Sequence, residues 1–274
     1  VRSASMASPR PAPPQPTAPL LPARRGARWS AGRHLVVSYY QGGYAPQRLA
    51  EVRSVFLDNV RNPFIDRVHV LLEEALPTDL LDSLTPAERA KLELVPLPPG
   101  QPTYGAFFNY ANAALGRGAV AIISNSDIVL GPTIRCAQPM DPAKNTLVFN
   151  QTERRLVLAL SRHPAPCGQA KGEADECLRY HGSHDTFVFA PPLSSQLIPR
   201  LDFVQNRLGA ENRVIFELRD MGYRVANPCN KIKVAHLHCA KNSRSYSSTR
   251  FARRGQRYAS VDPISRFECG DVIY

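Results

Sequence analysis

Several things are missing from this chain, and each absence excludes a class. No run of about 18 apolar residues occurs, so no transmembrane helix lies within these residues. The cysteines, at 136, 167, 177, 229, 239 and 269, form no C-x-x-C pair, which argues against a zinc ribbon or finger. No G-x-G-x-x-G follows the first apolar run, where Gln41-Gly-Gly-Tyr44 stands instead, so a dinucleotide fold of the usual kind is not expected. There is no internal repeat. Acidic residues are absent from two segments, 1–33 with six Arg and 221–261 with nine Lys or Arg. Residues 34–220 between them hold 18 basic and 20 acidic residues, so the net charge of +11 sits toward the ends. Aromatic residues are not interleaved with the first basic segment, so no stacking platform for nucleic acid is expected and no nucleic-acid partner. The basic segments read as a solvated linker and as a rim on a pocket for an anionic substrate.

What is present supports a globular core. The chain has 274 residues and a hydrophobic fraction of 43%. The even count of cysteines and the Asn150-Gln-Thr152 sequon lean toward disulfides and an oxidising secretory compartment. Cys167 and Cys177, joined by a short polar loop, are the expected local pair. Residues 1–33 are rich in Pro, Ala and Arg and read as a disordered stalk or linker. The chain begins at Val1 rather than Met, which is compatible with an upstream targeting or anchoring segment. Any membrane attachment is expected only through such a segment.

From residue 34 onward strands and helices alternate. His34–Tyr40 reads as a strand and Ala45–Val60 as a helix with Leu49, Val52, Val55 and Phe56 on one face. Asp66–Leu72 and Leu92–Pro96 read as strands, with a helix start at Thr85-Pro-Ala-Glu88 between them. Tyr104–Leu115 reads as a helix leading into the apolar strand Ala119–Ile123. This order predicts an α/β fold with a parallel sheet. The second half predicts paired strands at 146–150 and 155–161, a polar loop over 164–180, and a strand running into Ala190. It then predicts a helix over Gly209–Met221, a short strand to Asn227, and a last strand Ile232–His238.

The strand at 119–123 is continuous in Val, Ile and Ala, as for a strand buried on both faces, and breaks into Ser124-Asn125-Ser126-Asp127. Ligands of open α/β sheets bind beyond the carboxyl ends of the strands. A carboxylate there, beside an Asn, suits a divalent cation and the phosphates it carries, although the same residues also make a plain turn.

Further motifs follow in order: Ala-Leu-Ser-Arg162, Gly-Ser-His-Asp-Thr-Phe-Val-Phe189, Glu-Asn-Arg-Val-Ile-Phe-Glu217, Gly-Tyr-Arg-Val-Ala-Asn-Pro228 and His-Leu-His238. Their order and spacing resemble the GT-A type of nucleotide-sugar glycosyltransferase, family-2-like, with Asn-x-Asp in place of Asp-x-Asp. The resemblance covers about residues 34–246 and leaves 1–33 and the basic tail 247–274 outside. It implies a Rossmann-like, mixed but mostly parallel sheet flanked by helices in a single domain. It implies metal-assisted transfer of a sugar from a UDP- or GDP-sugar to a hydroxyl of a glycan or glycoprotein; the alternative, which Asn125 suggests, is a non-catalytic relative that binds glycan or a partner through the same cleft. The Golgi lumen is the expected location.

On the resemblance, Asp127 is a ligand for Mn²⁺ or Mg²⁺ and Asn125 assists. A late histidine completes the shell, and His238 holds that place. His236 and His238 lie on a predicted strand, and only one of them is expected to face the site. Asp185 is the expected general base of an inverting transfer, with neighbouring His184 as the other candidate. Glu211, Asn212 and Arg213, at a helix start, are expected to hold the acceptor, as is His184. Ser38, Tyr39 and Tyr40 are expected at the nucleotide, and Lys241 and Arg244 at its diphosphate.

Overall fold

A computed structural model of the chain describes residues 29–40, 45–98, 100–137, 155–164, 177, 183–205, 207–240 and 257–264. The stalk up to 28, the sequon, the strand expected at 146–150, Cys167, Cys269, Lys241 and Arg244 lie outside the described residues.

The first half alternates as its pattern requires. Strand β1 (Trp29–Tyr39) leads to helix α1 (Pro46–Arg61), strand β2 (Arg67–Leu72), short helices α2 (Thr78–Asp82) and α3 (Pro86–Ala90), and strand β3 (Leu92–Pro96). Helix α4 (Tyr104–Ala114) then runs into strand β4 (Leu115–Ser124). The expected capping box is formed: Glu88 N donates to Thr85 Oγ1 at 3.2 Å, and Thr85 N donates to Glu88 Oε2 at 2.7 Å. β1 starts five residues before the expected His34 because Trp29 and Ala31 already pair with β4, across a register shift. Helix α2 has no counterpart in the sequence reading.

After β4 the order is β5 (Ile128–Leu130), β6 (Leu156–Ser161), β7 (His163–Pro164), β8 (His184–Phe189), helix α5 (Ala210–Asp220), β9 (Arg224–Ala226) and β10 (Val234–His236). The main sheet has seven strands in the order β3-β2-β1-β4-β8-β6-β9. Only the two pairings made by β8 are antiparallel. β5, β10 and β7 form a separate three-stranded sheet. The mixed, mostly parallel sheet flanked by helices is the fold class expected of the GT-A type.

β4 explains itself by its neighbours. Val120 and Ile122 face the core shared with Val52, Phe56 and Val60 of α1, whereas Ala119, Ala121 and Ile123 face Phe107, Phe108 and Val214 of α4 and α5. A strand with a core on both faces cannot alternate apolar with polar, hence its continuous apolar run. Because β8 runs antiparallel to β4, the start of β8 lies beside the end of β4, with Thr186 opposite Ser124. Two polar strand ends 60 residues apart in sequence therefore share one sheet edge.

Cys177 is bonded to Cys229, not to Cys167 as the short loop between them suggested. The bridge ties Cys177 to the turn before β10, with the Cα atoms 6.1 Å apart. Closing that 52-residue separation stabilises the fold by about 4 kcal/mol on chain entropy. None of the cysteines among the described residues is free. Among those residues no helix is long and apolar enough to cross a membrane.

Candidate active site

The turn Asn125–Asp127 between β4 and β5 is fixed from both sides. Ile128 N donates to Asn125 O at 3.2 Å, and Asn125 N donates to Asp185 O at 3.1 Å. Helix α1 supplies side chains that act as a strand would. Asn59 Nδ2 donates to Ile128 O and Leu130 N donates to Asn59 Oδ1, both at 2.9 Å, and Asn62 Nδ2 donates to Leu130 O at 2.7 Å. β10 pairs antiparallel with β5 and sets His236 opposite Ile128, next to Asp127.

One cluster forms around Asp127. His236 Nε2 donates to Asp127 Oδ2 at 3.0 Å, and His238 Nδ1 lies 4.0 Å from the same oxygen. Arg48 Nη2 also donates to Asp127 Oδ2. Burial works to raise the Asp127 pKa, but the hydrogen bond and charge of His236 and the charge of Arg48 outweigh it and lower the carboxyl to about 2. His238 is shifted the other way from protonation: burial, then the positive charges of Arg48 and His236, push its pKa down. Its Nδ1 is buried and has no hydrogen-bond partner. A buried ring nitrogen without a partner beside a carboxylate is a position a cation would use. Ligand atoms of Asp127, His236 and His238 all lie within 4.8 Å of one another, so this set fits a divalent metal.

Both histidines, not one as expected, face the site. β10 ends at His236, and Leu237 N turns inward to donate to Asp127 O at 2.9 Å. Residues two apart on an extended chain share a face, and both imidazoles meet one carboxylate, their rings 5.2 Å apart.

A second cluster lies on the other side of the turn. Asp185, 6% exposed, accepts from Asn125 Nδ2 at 3.0 Å, from Ser183 Oγ at 2.7 Å and from Arg162 Nη1 at 3.5 Å. Glu211, in the first turn of α5, accepts from the Tyr104 hydroxyl at 3.3 Å. Gly209, with φ of 84°, takes the left-handed conformation that starts this helix and delivers Glu211 to the cluster. Burial and the charge of Asp185 hold the Glu211 carboxyl up, to about 7, against hydrogen bonds from its backbone, Asn125 and Tyr104 that lower it. Asn125 thus bridges the two carboxyl groups. An Asp there would add a third negative charge where an amide donates instead.

The Asn125 amide nitrogen is therefore turned to the carboxyl pair. Other expected contacts are redirected. His184 is fully buried and its Nε2 accepts from Val261 N at 3.3 Å, which takes it away from any acceptor. Asn212 is buried and holds the segment 257–264: Asn212 Nδ2 donates to Ala259 O at 3.0 Å and Ala259 N donates to Asn212 O at 3.1 Å. Arg213 is spent on Glu217, a fully buried carboxylate, at 2.6 Å. Tyr39 is a core residue, 1% exposed and edge-on to Phe56, so its ring cannot meet a nucleotide. Ser38 lines a small cavity with Ser126 and Asn59, and Tyr40 is half-buried at the end of β1.

Arg48, Glu51, Tyr104 and Arg162 were not singled out from the sequence. Arg48 did leave a signal. It lies four residues before Val52, on the apolar stripe of α1, where spacing calls for an apolar side chain.

No protein-family model matches the chain, and no curated protein matches it. Solved structures do. TarS 1-349 of S. aureus in complex with UDP-GlcNAc is 12% identical over 81% of this chain and 62% of its own, with a TM-score of 0.46. The mannosyltransferase PcManGT of Pyrobaculum calidifontis, in complex with GDP-Man and Mn²⁺, is 13% identical over 85% of this chain and 62% of its own, with a TM-score of 0.46. GalNAc-T7 with UDP, GalNAc and Mn²⁺ is 8% identical over 80% of this chain and 44% of its own, with a TM-score of 0.48. The chain thus spans less than two thirds of each of these. At such identities and scores the likeness assigns no activity, donor or metal.

Proposed function

We propose that this protein is a glycosyltransferase that moves a sugar from a UDP- or GDP-sugar to a hydroxyl of a glycan or protein-linked acceptor, with inversion. The observation that carries the reading is the turn Asn125–Asp127, which joins a cation-binding set on one side to a buried carboxyl pair on the other. Both lie at the carboxyl edge of β4, where an α/β sheet opens its cleft.

Asp127, His236 and His238 would hold a divalent cation, which supplies neutralising charge to a departing nucleoside diphosphate. Two imidazoles and one carboxylate suit Mn²⁺ or Zn²⁺ better than Mg²⁺. Glu211 takes the proton of the acceptor hydroxyl. The acceptor oxygen then bonds to the anomeric carbon as the bond from that carbon to the diphosphate oxygen breaks on the opposite face. A carboxyl held near neutrality is matched to that proton transfer. Asp185, the base expected from sequence, has both oxygens engaged, so its role is to orient Asn125 and to keep Glu211 up by its charge. The bonded cysteines support an oxidising compartment, and the secretory pathway, in the Golgi lumen, is our assignment.

The test joins donor calorimetry to a transfer assay over pH. A UDP- or GDP-sugar should bind with Mn²⁺ and turn over, with an acidic limb near pH 7. In Asp185→Asn the limb should move to lower pH, because the like charge beside Glu211 is gone. Donor binding with no transfer to any acceptor would instead indicate a glycan- or partner-binding relative. A protein that binds no nucleotide sugar has been misread.

A further inference from the structure

His238 reaches Asp127 only if the chain after β10 is held in place, and that stretch belongs to no strand. Much of the hold comes from two side chains of α1. Arg48 is 4% exposed; its Nη1 donates to Leu237 O at 2.6 Å and to Glu51 Oε2 at 2.8 Å, while its Nη2 donates to Asp127. Glu51, one turn further along the helix, accepts from Cys239 N at 2.9 Å and from Ala240 N at 2.6 Å, both on Oε1. Helix α1 therefore grips the carbonyl before His238 and the two amides after it.

A buried guanidinium beside a cation site is at first sight the wrong charge. Two features reconcile it. Glu51 neutralises Arg48 and leaves the charge of Asp127 for the cation. The rigid fork of arginine also aims separate N–H groups at a carboxylate and a carbonyl, which the single ammonium of lysine cannot do.

We propose that Arg48 and Glu51 are positioning residues for the cation centre: they fix the backbone on both sides of His238 so that its Nδ1 joins His236 and Asp127. The inference rests on the metal reading of that cluster and adds to it residues that contact no cation themselves. Groups that orient ligands typically change metal affinity by about 10–100-fold when altered.

The experiment is a titration of the intact protein with Mn²⁺ alone, followed by the electron paramagnetic resonance signal of the free ion, with Zn²⁺ and Co²⁺ by calorimetry. Arg48→Lys keeps the charge and loses the fork. Glu51→Gln keeps the shape and loses the charge. Each should weaken Mn²⁺ binding by about 10–100-fold while the protein stays folded by circular dichroism. Hydrogen exchange of the Cys239 and Ala240 amides should speed up in Glu51→Gln relative to the parent. A merely structural ion pair would lower the melting temperature and leave the affinity of the folded protein unchanged. Both variants binding within about threefold of the parent would overturn the inference and leave the metal reading standing. If Arg48→Lys does not fold, Glu51→Gln decides alone. A parent that binds none of the three ions overturns the metal reading and the inference together.

Discussion

The two sides of one short turn have opposite electrostatics. Asp127 is surrounded by nitrogen: Arg48, His236 and His238 all approach it, and its carboxyl is held down at about 2. Two residues earlier, Asn125 faces Asp185 and Glu211, where burial and like charge hold the Glu211 carboxyl up at about 7. Two acids at one sheet edge are thus shifted in opposite directions by what each one faces and not by residue type. One side is suited to keep a charge, the other to exchange a proton.

The comparison breaks most sharply in Glu211→Gln. Turnover should fall by about 10²–10⁴-fold, the usual contribution of a positioned base, and the limb near pH 7 should vanish. Donor and Mn²⁺ affinity, read by calorimetry, should stay at parent values. Retained turnover would return the base to Asp185.

Asp127→Ala should fail on the other side. It removes a cation ligand and one of the two carboxylates paired with the buried Arg48 guanidinium, so chemical denaturation should show a loss of about 2 kcal/mol along with lost Mn²⁺ binding. Sequence reasoning would treat Asp127 as a strand-end residue of little weight in stability; the buried pair with Arg48 reverses that expectation.

Cation choice sharpens the comparison. Calorimetry should rank Mn²⁺ and Zn²⁺ above Mg²⁺, since two of the three ligand atoms are imidazole nitrogens. Equal affinity for Mg²⁺ would mean that the histidines do not ligate.

A smaller effect is expected from Asn125→Asp. It replaces an amide donor by a third carboxylate, so the limb belonging to Glu211 should move to higher pH. Its motion downward would mean that Asn125 acts on the cation side after all.

The smallest effects are on stability against pH, and the two acids act with opposite sign. Asp127 has its folded pKa below the ordinary 3.8, so its contribution is present above that pH and is lost as pH falls through about 2. Glu211 has its folded pKa above the ordinary 4.5, so its contribution is present below that pH and is lost as pH rises through about 7. Denaturation curves of Asp127→Asn and Glu211→Gln against the parent should remove one slope each, in separate pH windows.

Much of the frame was legible from residues alone. The apolar run at 119–123, the capping box at Thr85 and the stripe of α1 are local patterns, and each formed the element its period demands. Their alternation gave an α/β fold with parallel strands, and the mixed sheet, with β8 antiparallel, came from the family resemblance. The disulfide partner of Cys177 and the Arg48 beside Asp127 did not follow, because they join residues far apart in sequence.

What the chain order determined by itself was which polar residues end up at strand ends. What only the tertiary structure decided was what each of them faces. Asn125 and Asp127 are two residues apart, yet one meets β8 and α5 and the other meets α1 and β10. His236 and His238, two residues apart, share a face, and the fold decides that this face meets Asp127 while α1 holds the backbone around His238. Spacing along a chain sets periodicity only while a regular element lasts. Where the element ends, long-range contacts set the direction, and charge and burial there decide whether an acid holds a cation or a proton.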